Sequence, residues 1–202
     1  MSGAITFDAD GLVPCVMQDA STGEVLTLAY MNSEALEKTR ETREVHFFSR
    51  SRQELWRKGE TSGNVMRVRA LRYDCDADAI LALVDPAGPA CHTGERTCFY
   101  RDLEGEVQAV SHEVLPALER TLRSRQAERP EGSYTVELLD DPKLIGAKVE
   151  EEAEEVARAA REETDERVAE EAADVLYHLQ VLLLSRGLSL NAALEVLDGR
   201  RR

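Results

Sequence analysis

Two hydrophobic rhythms divide the chain. In the first half, short apolar runs are separated by turn-forming residues. Leu12 to Met17 and Val25 to Met31 flank Gln18-Asp19-Ala20-Ser21-Thr22-Gly23, the pattern of a β-hairpin. Ser33 is the expected N-cap of a short helix through Thr39. Val65 to Tyr73 alternates apolar and basic residues, which predicts a half-buried strand, and Ala79 to Val84 is a further apolar run. Phe99-Tyr100 is expected to end a strand, and Asp102 to Glu106 to form a turn.

From Glu113 onward the spacing becomes helical. Leu115, Leu118 and Leu122 share one face of a helix reaching Gln126, and Arg129-Pro130-Glu131-Gly132-Ser133 breaks it. A new element starts at Tyr134 and runs to Leu139. Asp140-Asp141-Pro142 opens a first long helix through Ile145, Val149, Ala153, Val156 and Ala160, with proline suited to the first turn. Thr164-Asp165 caps a second, whose apolar stripe runs from Val168 to Leu183 and stops at Gly187. Ser189 opens a last helix toward Leu197. The prediction is two domains: an N-terminal β-rich α+β domain, residues 1–111, and a C-terminal all-α domain, residues 112–202.

Composition narrows the function classes. The chain has 202 residues, 43% of them hydrophobic, enough for a packed core in each half. The formal net charge is −14, and both halves carry an acidic excess. Such a surface repels nucleic acid, so a bound phosphate must be met by a local basic patch or by cations. No apolar run approaches the length of a membrane span, and the N-terminus lacks the basic and apolar regions of a signal peptide. A cytoplasmic location is therefore expected, and with it reduced thiols rather than disulfides.

Three of the four cysteines fall between Asp74 and Cys98. Cys75 sits within Asp74-Cys75-Asp76-Ala77-Asp78, and Cys91 and Cys98 close the segment as Cys91-His92-Thr93-Gly94-Glu95-Arg96-Thr97-Cys98. Thiolates suit zinc and carboxylates suit magnesium, and three thiolates leave a tetrahedral zinc one open position. If Asp74 to Asp78 is extended, its three carboxylates share one face and Cys75 points to the other. Cys15, in an apolar run, is expected in the core, and His46 and His178 as structural histidines. Upstream lies the one dense basic segment of the first half: Arg50, Arg52, Arg57 and Lys58, followed by Thr61-Ser62-Gly63-Asn64. Hydroxyls, and glycines that expose backbone N–H groups, make it a candidate phosphate pocket. On the first long helix Glu151, Glu152 and Glu155 share a sector; on the second, Glu171 and Asp174 are three apart. Facing carboxylate sets of this kind build divalent-metal sites inside helical bundles.

These segments also carry a resemblance. Tyr30-Met31-Asn32, Ser49 to Arg52, Leu55 to Asn64, Asp74 to Asp78 and Cys91 to Gly94 resemble the phosphoribosyl-AMP cyclohydrolase family. Gly132 to Thr135, Lys148-Val149 with Glu151-Glu152-Ala153, and Glu170 to Leu179 resemble phosphoribosyl-ATP pyrophosphohydrolases, a MazG-like helical family. One departure is Glu150, where many relatives have glycine. The resemblance implies a bifunctional enzyme of histidine biosynthesis. Its C-terminal half would release pyrophosphate with magnesium on Glu151, Glu152, Glu155, Glu171 and Asp174, with Glu152 and Glu155 serving the chemistry. Its N-terminal half would hold zinc on Cys75, Cys91 and Cys98 and magnesium on Asp74, Asp76 and Asp78. Arg50, Arg52, Lys58, Thr61, Ser62, Gly63 and Asn64 would bind phosphate or ribose, and His92 would transfer a proton. It further implies a homodimer whose chains share the zinc, Cys75 coming from one and Cys91 with Cys98 from the other. Two other readings stay open on sequence alone: a general nucleoside-triphosphate pyrophosphatase fused to a deaminase-like zinc domain, and a zinc-stabilised binding module joined to a dimerising helical domain.

Overall fold

The computed structural model describes residues 5–103, 105 and 110–200, and it separates into a strand-rich unit up to His112 and a helical unit from Glu113. In the first unit, strand β1 (Val13–Asp19) turns through the predicted hairpin into β2 (Val25–Met31). Every second residue of β1 is buried, so Val13, Cys15 and Met17 face the core. Burial pushes the Cys15 thiol up to about 12, which makes it an inert packing group rather than a ligand. Helix α1 (Ser33–Thr42) follows. Its N-cap is Asn32 rather than Ser33, because the Asn32 carboxamide oxygen accepts the Ala35 N–H at 2.8 Å. The helix ends at Thr42, beyond the expected Thr39, with Arg43 in the left-handed region.

Strands β3 (His46–Ser49) and β4 (Glu54–Arg57) form a separate antiparallel pair, with Phe47 opposite Trp56. His46 is structural, as its sequence context suggested: it is buried, with Nδ1 2.8 Å from the Glu44 carbonyl oxygen. Strands β5 (Met66–Tyr73) and β6 (Ile80–Pro86) complete the main sheet in the order β2-β1-β6-β5, with β6 parallel to β1 and antiparallel to its other neighbour. Met17, Leu26, Met31, Phe47, Met66 and Val84 are fully buried in one apolar cluster. Each contributes about 1.5–3 kcal/mol by leaving water.

Two expectations fail here. Asp74 to Asp78 is not extended; it is the turn between β5 and β6, with Ala77 at φ +64°. Nor does a strand run through Phe99 and Tyr100: residues 91–100 form turns and irregular backbone. The turn expected at 102–106 lies partly outside the described residues.

The helical unit contains α2 (Ser111–Glu128), α3 (Tyr134–Asp140), α4 (Pro142–Glu162), α5 (Asp165–Ser185) and α6 (Leu190–Gly199). Asp141 caps α4 and Thr164 caps α5, each accepting from backbone N–H groups of the first turn. Two residues join α4 to α5, so they fold back as an antiparallel hairpin and residues equally far from the turn face each other. Gly187, at φ +71°, closes α5, its N–H bonded to the Leu184 carbonyl and that of Leu188 to the Leu183 carbonyl. Leu122, Leu138, Ile145, Val181 and Leu184 form the core of this unit. No single helix among the described residues is long and apolar enough to cross a membrane.

Candidate active sites

The strand-rich unit has a cavity of about 570 Å³. One wall comes from β4 and the turns on either side of it: Arg52, Trp56, Arg57, Lys58, Thr61, Ser62 and Asn64. The other is the loop carrying Cys91 and His92. Two glycines make the walls meet. At Gly59 (φ +87°) a Cβ would stand 2.3 Å from the Asn64 carbonyl carbon and oxygen, and at Gly88 2.4 Å from the Asn64 carboxamide oxygen. Asn64 Nδ2 donates to the Pro89 carbonyl at 3.1 Å, and Lys58 Nζ to the Ala90 carbonyl at 2.5 Å. The basic wall is thereby tied to the cysteine loop.

Most residues expected to bind phosphate or ribose line this cavity. Gly63 shapes the turn (φ +78°) without lining it. Arg50 is elsewhere, its guanidinium 3.9 Å over the Tyr30 ring. Trp56 and Arg57 line the cavity although only the basic character of their segment pointed there. Arg57 also pairs with Glu44 at 2.7 Å.

Cys91 Sγ accepts a hydrogen bond from the Thr93 hydroxyl at 3.0 Å. That bond first, then the neighbouring Cys98 thiol and the Lys58 charge, hold the Cys91 thiol below its usual range, toward the thiolate that binds metals. Thr93 was not singled out in the sequence; a hydroxyl two residues after a cysteine was the available signal. Cys75 is exposed in the β5–β6 turn, with Sγ 3.8 Å from Asp76 Oδ1. Within one chain it does not join Cys91 and Cys98: among the described residues, the triads with ligand atoms within 4.8 Å of one another are Asp74/Asp76/Asp78 and Glu152/Glu155/Glu171.

The aspartate triad converges because the turn curls. Asp74 Oδ1 accepts the backbone N–H groups of Asp78 at 3.1 Å and Ala79 at 3.0 Å. The Ala79 bond leads in holding the Asp74 carboxyl below its usual value, while the Asp76 charge leads in raising Asp78. Three carboxylates this close suit a hard cation.

In the helical unit, Glu152 and Glu155 from α4 meet Glu171 from α5, and Glu152 and Glu171 are buried. The cations nearby are few: Arg167 pairs with Glu171, Lys148 Nζ is 3.7 Å from Glu152, and Arg158 is 3.6 Å from Glu155. Burial foremost, with the Glu155 and Asp174 charges adding to it and the Arg167 charge opposing, raises Glu171 above the normal carboxylate range. Such a group fits a divalent ion, which would neutralise the buried charge. Glu151 is not part of the triad; it is exposed and pairs with Lys148 at 2.7 Å. Asp174 is exposed, one turn along from Glu171. His178 is buried, with Nδ1 2.9 Å from the Asp174 carbonyl oxygen and Nε2 3.1 Å from the Tyr134 hydroxyl.

Comparison with known proteins agrees with this division. A family model described as phosphoribosyl-AMP cyclohydrolase matches residues 27–100, and one described as phosphoribosyl-ATP pyrophosphohydrolase matches residues 115–201. A curated relative from Bacillus subtilis, the histidine biosynthesis bifunctional protein HisIE, is 52% identical over 97% of this chain and 94% of its own length. A protein of the same name from Thermus thermophilus is 50% identical over 98% of this chain and 93% of its own, and one from Photobacterium profundum is 48% identical over 95% and 93%. Matches of this identity span both units and nearly the full length of each relative, so the chain belongs to the HisIE family of bifunctional histidine-biosynthesis proteins.

Proposed function

We propose an assignment of residues to the two activities of this bifunctional hydrolase. Its C-terminal half converts phosphoribosyl-ATP to phosphoribosyl-AMP and pyrophosphate, and its N-terminal half opens the purine ring of phosphoribosyl-AMP to the formimino carboxamide ribotide. Glu152, Glu155 and Glu171 hold magnesium in the MazG-like helical half, with Glu151 and Asp174 completing the set from its exposed side. Cys75, Cys91 and Cys98 hold zinc, and Asp74, Asp76 and Asp78 hold a second magnesium. Bound there, magnesium supplies positive charge against the phosphates and zinc supplies a Lewis acid at the purine C6.

The chain's own side chains do the rest. In the helical half, Glu152 and Glu155 orient the attacking water and take its proton. In the strand-rich half, Arg52 and Lys58 set positive charge in the cavity for the phosphate, and Thr61, Ser62, Gly63 and Asn64 offer donors to phosphate and ribose. Arg50, over Tyr30, steers the anion at the approach. His92, next to Cys91 on the cavity wall, delivers a proton to purine N1 as the N1–C6 bond breaks.

The observation that carries this assignment is the buried carboxylate pair, Glu152 with Glu171, which joins Glu155 in one triad inside the segment matched to the pyrophosphohydrolase family. For zinc, what supports it is Cys91, on the cavity wall with its thiol held below the usual range, and the neighbouring thiol of Cys98. Because Cys75 does not meet them within one chain, the assignment includes a homodimer in which Cys75 of the partner subunit completes each zinc site. It also includes a cytoplasmic setting, which keeps the thiols reduced. The test is selective metal removal. A zinc chelator is expected to stop ring opening while magnesium-dependent pyrophosphate release continues, with about one zinc per chain in the active enzyme. Full ring-opening activity in protein stripped of transition metals would refute the zinc assignment.

A further inference from the structure

The loop that carries Cys91 and Cys98 has no regular secondary structure of its own, yet it must hold two thiols at a fixed spacing. Its backbone closes on itself: Ala90 N–H donates to the Arg96 carbonyl at 3.0 Å, Cys91 N–H to Glu95 at 3.0 Å, and Gly94 N–H to Cys91 at 3.2 Å. Past this closure, Thr97 Oγ1 donates to the Val25 carbonyl at 2.7 Å and Cys98 N–H to the Leu26 carbonyl at 2.8 Å, so the second cysteine rides on the start of β2.

Arg96 lies at the junction of these two halves of the loop. Its Nε donates to Glu24 Oε2 at 2.6 Å and its Nη2 to Asp19 Oδ2. Both acids are buried, at 2% exposure for Asp19 and 7% for Glu24, and they sit at either end of the β1–β2 turn. Asp19 is itself fixed by the Ser21 hydroxyl at 2.6 Å and the Ser21 N–H at 2.8 Å, and Glu24 by the Thr22 hydroxyl at 3.0 Å. None of the three charged groups lines the substrate cavity. A buried ion cluster is an inefficient way to stabilise a fold, since desolvation offsets most of the attraction. Its geometric result is specific, because it locks the residue between the two cysteines to the rigid end of the sheet.

We propose that Arg96 is a positioning residue for zinc: clamped by Asp19 and Glu24, it fixes Cys91 and Cys98 at the spacing a single ion requires. This rests on the zinc assignment above. It predicts that the clamp governs how tightly the metal is held, in the way that groups supporting metal ligands usually do.

The experiment uses the full-length protein loaded with zinc and follows transfer of the metal to a chromophoric chelator. Arg96→Gln is compared with the triple variant Asp19→Asn/Glu24→Gln/Arg96→Gln, which neutralises all three members of the clamp together, so that neither acid stays charged where the arginine was. Zinc affinity is expected to fall about 10- to 100-fold in both. Arg96→Lys, which keeps the charge but not the two-pronged grip, falls between them and the wild type. Pyrophosphate release from phosphoribosyl-ATP by the same chains stays at the wild-type rate, and the fluorescence of Trp56, the one tryptophan of the chain, reports the folded fraction of the strand-rich unit. A folded triple variant that retains zinc as tightly as the wild type overturns the proposal, even if its melting temperature is lower. A wild-type chain that binds no zinc overturns the zinc assignment itself, and the role of Arg96 with it.

Discussion

Mixing two inactive chains is expected to restore ring opening. Cys75 is exposed in the β5–β6 turn and does not group with Cys91 and Cys98 of its own chain, so each proposed zinc site takes ligands from two subunits. Cys75→Ser and Cys91→Ser each damage every site in their own homodimers. In a mixed dimer, one site carries both lesions and the other draws intact Cys75 from one chain and intact Cys91 and Cys98 from its partner. Random pairing gives about half mixed dimers with one of two sites whole, hence about a quarter of wild-type activity. The assay is co-refolding at equal concentration, followed by turnover of supplied phosphoribosyl-AMP and zinc content per chain. Trp56 fluorescence normalises for refolding of the strand-rich unit, and pyrophosphate release, whose carboxylates belong to the other unit, checks that the helical unit has refolded. A verified mixed dimer with no recovered ring opening and no recovered zinc would rule out the shared site.

Three further outcomes are expected. Glu152→Gln with Glu155→Gln removes two of the three converging carboxylates and should abolish pyrophosphate release while leaving ring opening of supplied phosphoribosyl-AMP intact; loss of both activities in a folded variant would count against independent sites. Glu171 binds its proton more tightly in the fold than in the unfolded chain, so the metal-free helical unit should gain stability as pH falls into the window between the ordinary carboxylate range and the raised value, and lose it as pH rises through that window. Magnesium competes with that proton, so its apparent affinity should decline on acidification from a higher pH than an ordinary glutamate gives, and melting curves with and without magnesium across pH, repeated on Glu171→Gln, check both signs. Gly59→Ala forces a side chain into the left-handed region, a cost of about 1–3 kcal/mol, and drives its Cβ against the Asn64 backbone. Ring opening should drop at least about tenfold with pyrophosphate release unchanged, and an unaltered KM for phosphoribosyl-AMP would mean that this turn does not shape the site.

Local pattern made most of the elements legible. The hairpin turn at Gln18 to Gly23, the Asp141 and Thr164 caps and the Gly187 stop are each written in a few adjacent residues. The facing glutamates were legible too, since a short turn between two helices fixes which residues meet. Convergence in irregular backbone was harder. Alternation along an extended strand was the wrong reason for Asp74, Asp76 and Asp78 to share a face; a turn with Ala77 at φ +64° gathers them instead, and no periodicity announces it. The same limit hid Arg96, whose partners Asp19 and Glu24 lie more than seventy positions away in the chain. Glu151 matched the helical spacing yet pairs with Lys148, because a shared sector does not decide which side of it faces the neighbouring helix.

The most direct test of the two-activity account is product analysis after incubating the purified full-length protein with phosphoribosyl-ATP, magnesium and zinc. The expected result is pyrophosphate and formimino carboxamide ribotide in equal amounts, with phosphoribosyl-AMP passing through as a transient, and no comparable turnover of ordinary nucleoside triphosphates. Pyrophosphate released equally well from ordinary triphosphates, or phosphoribosyl-AMP accumulating as the final product, would contradict it.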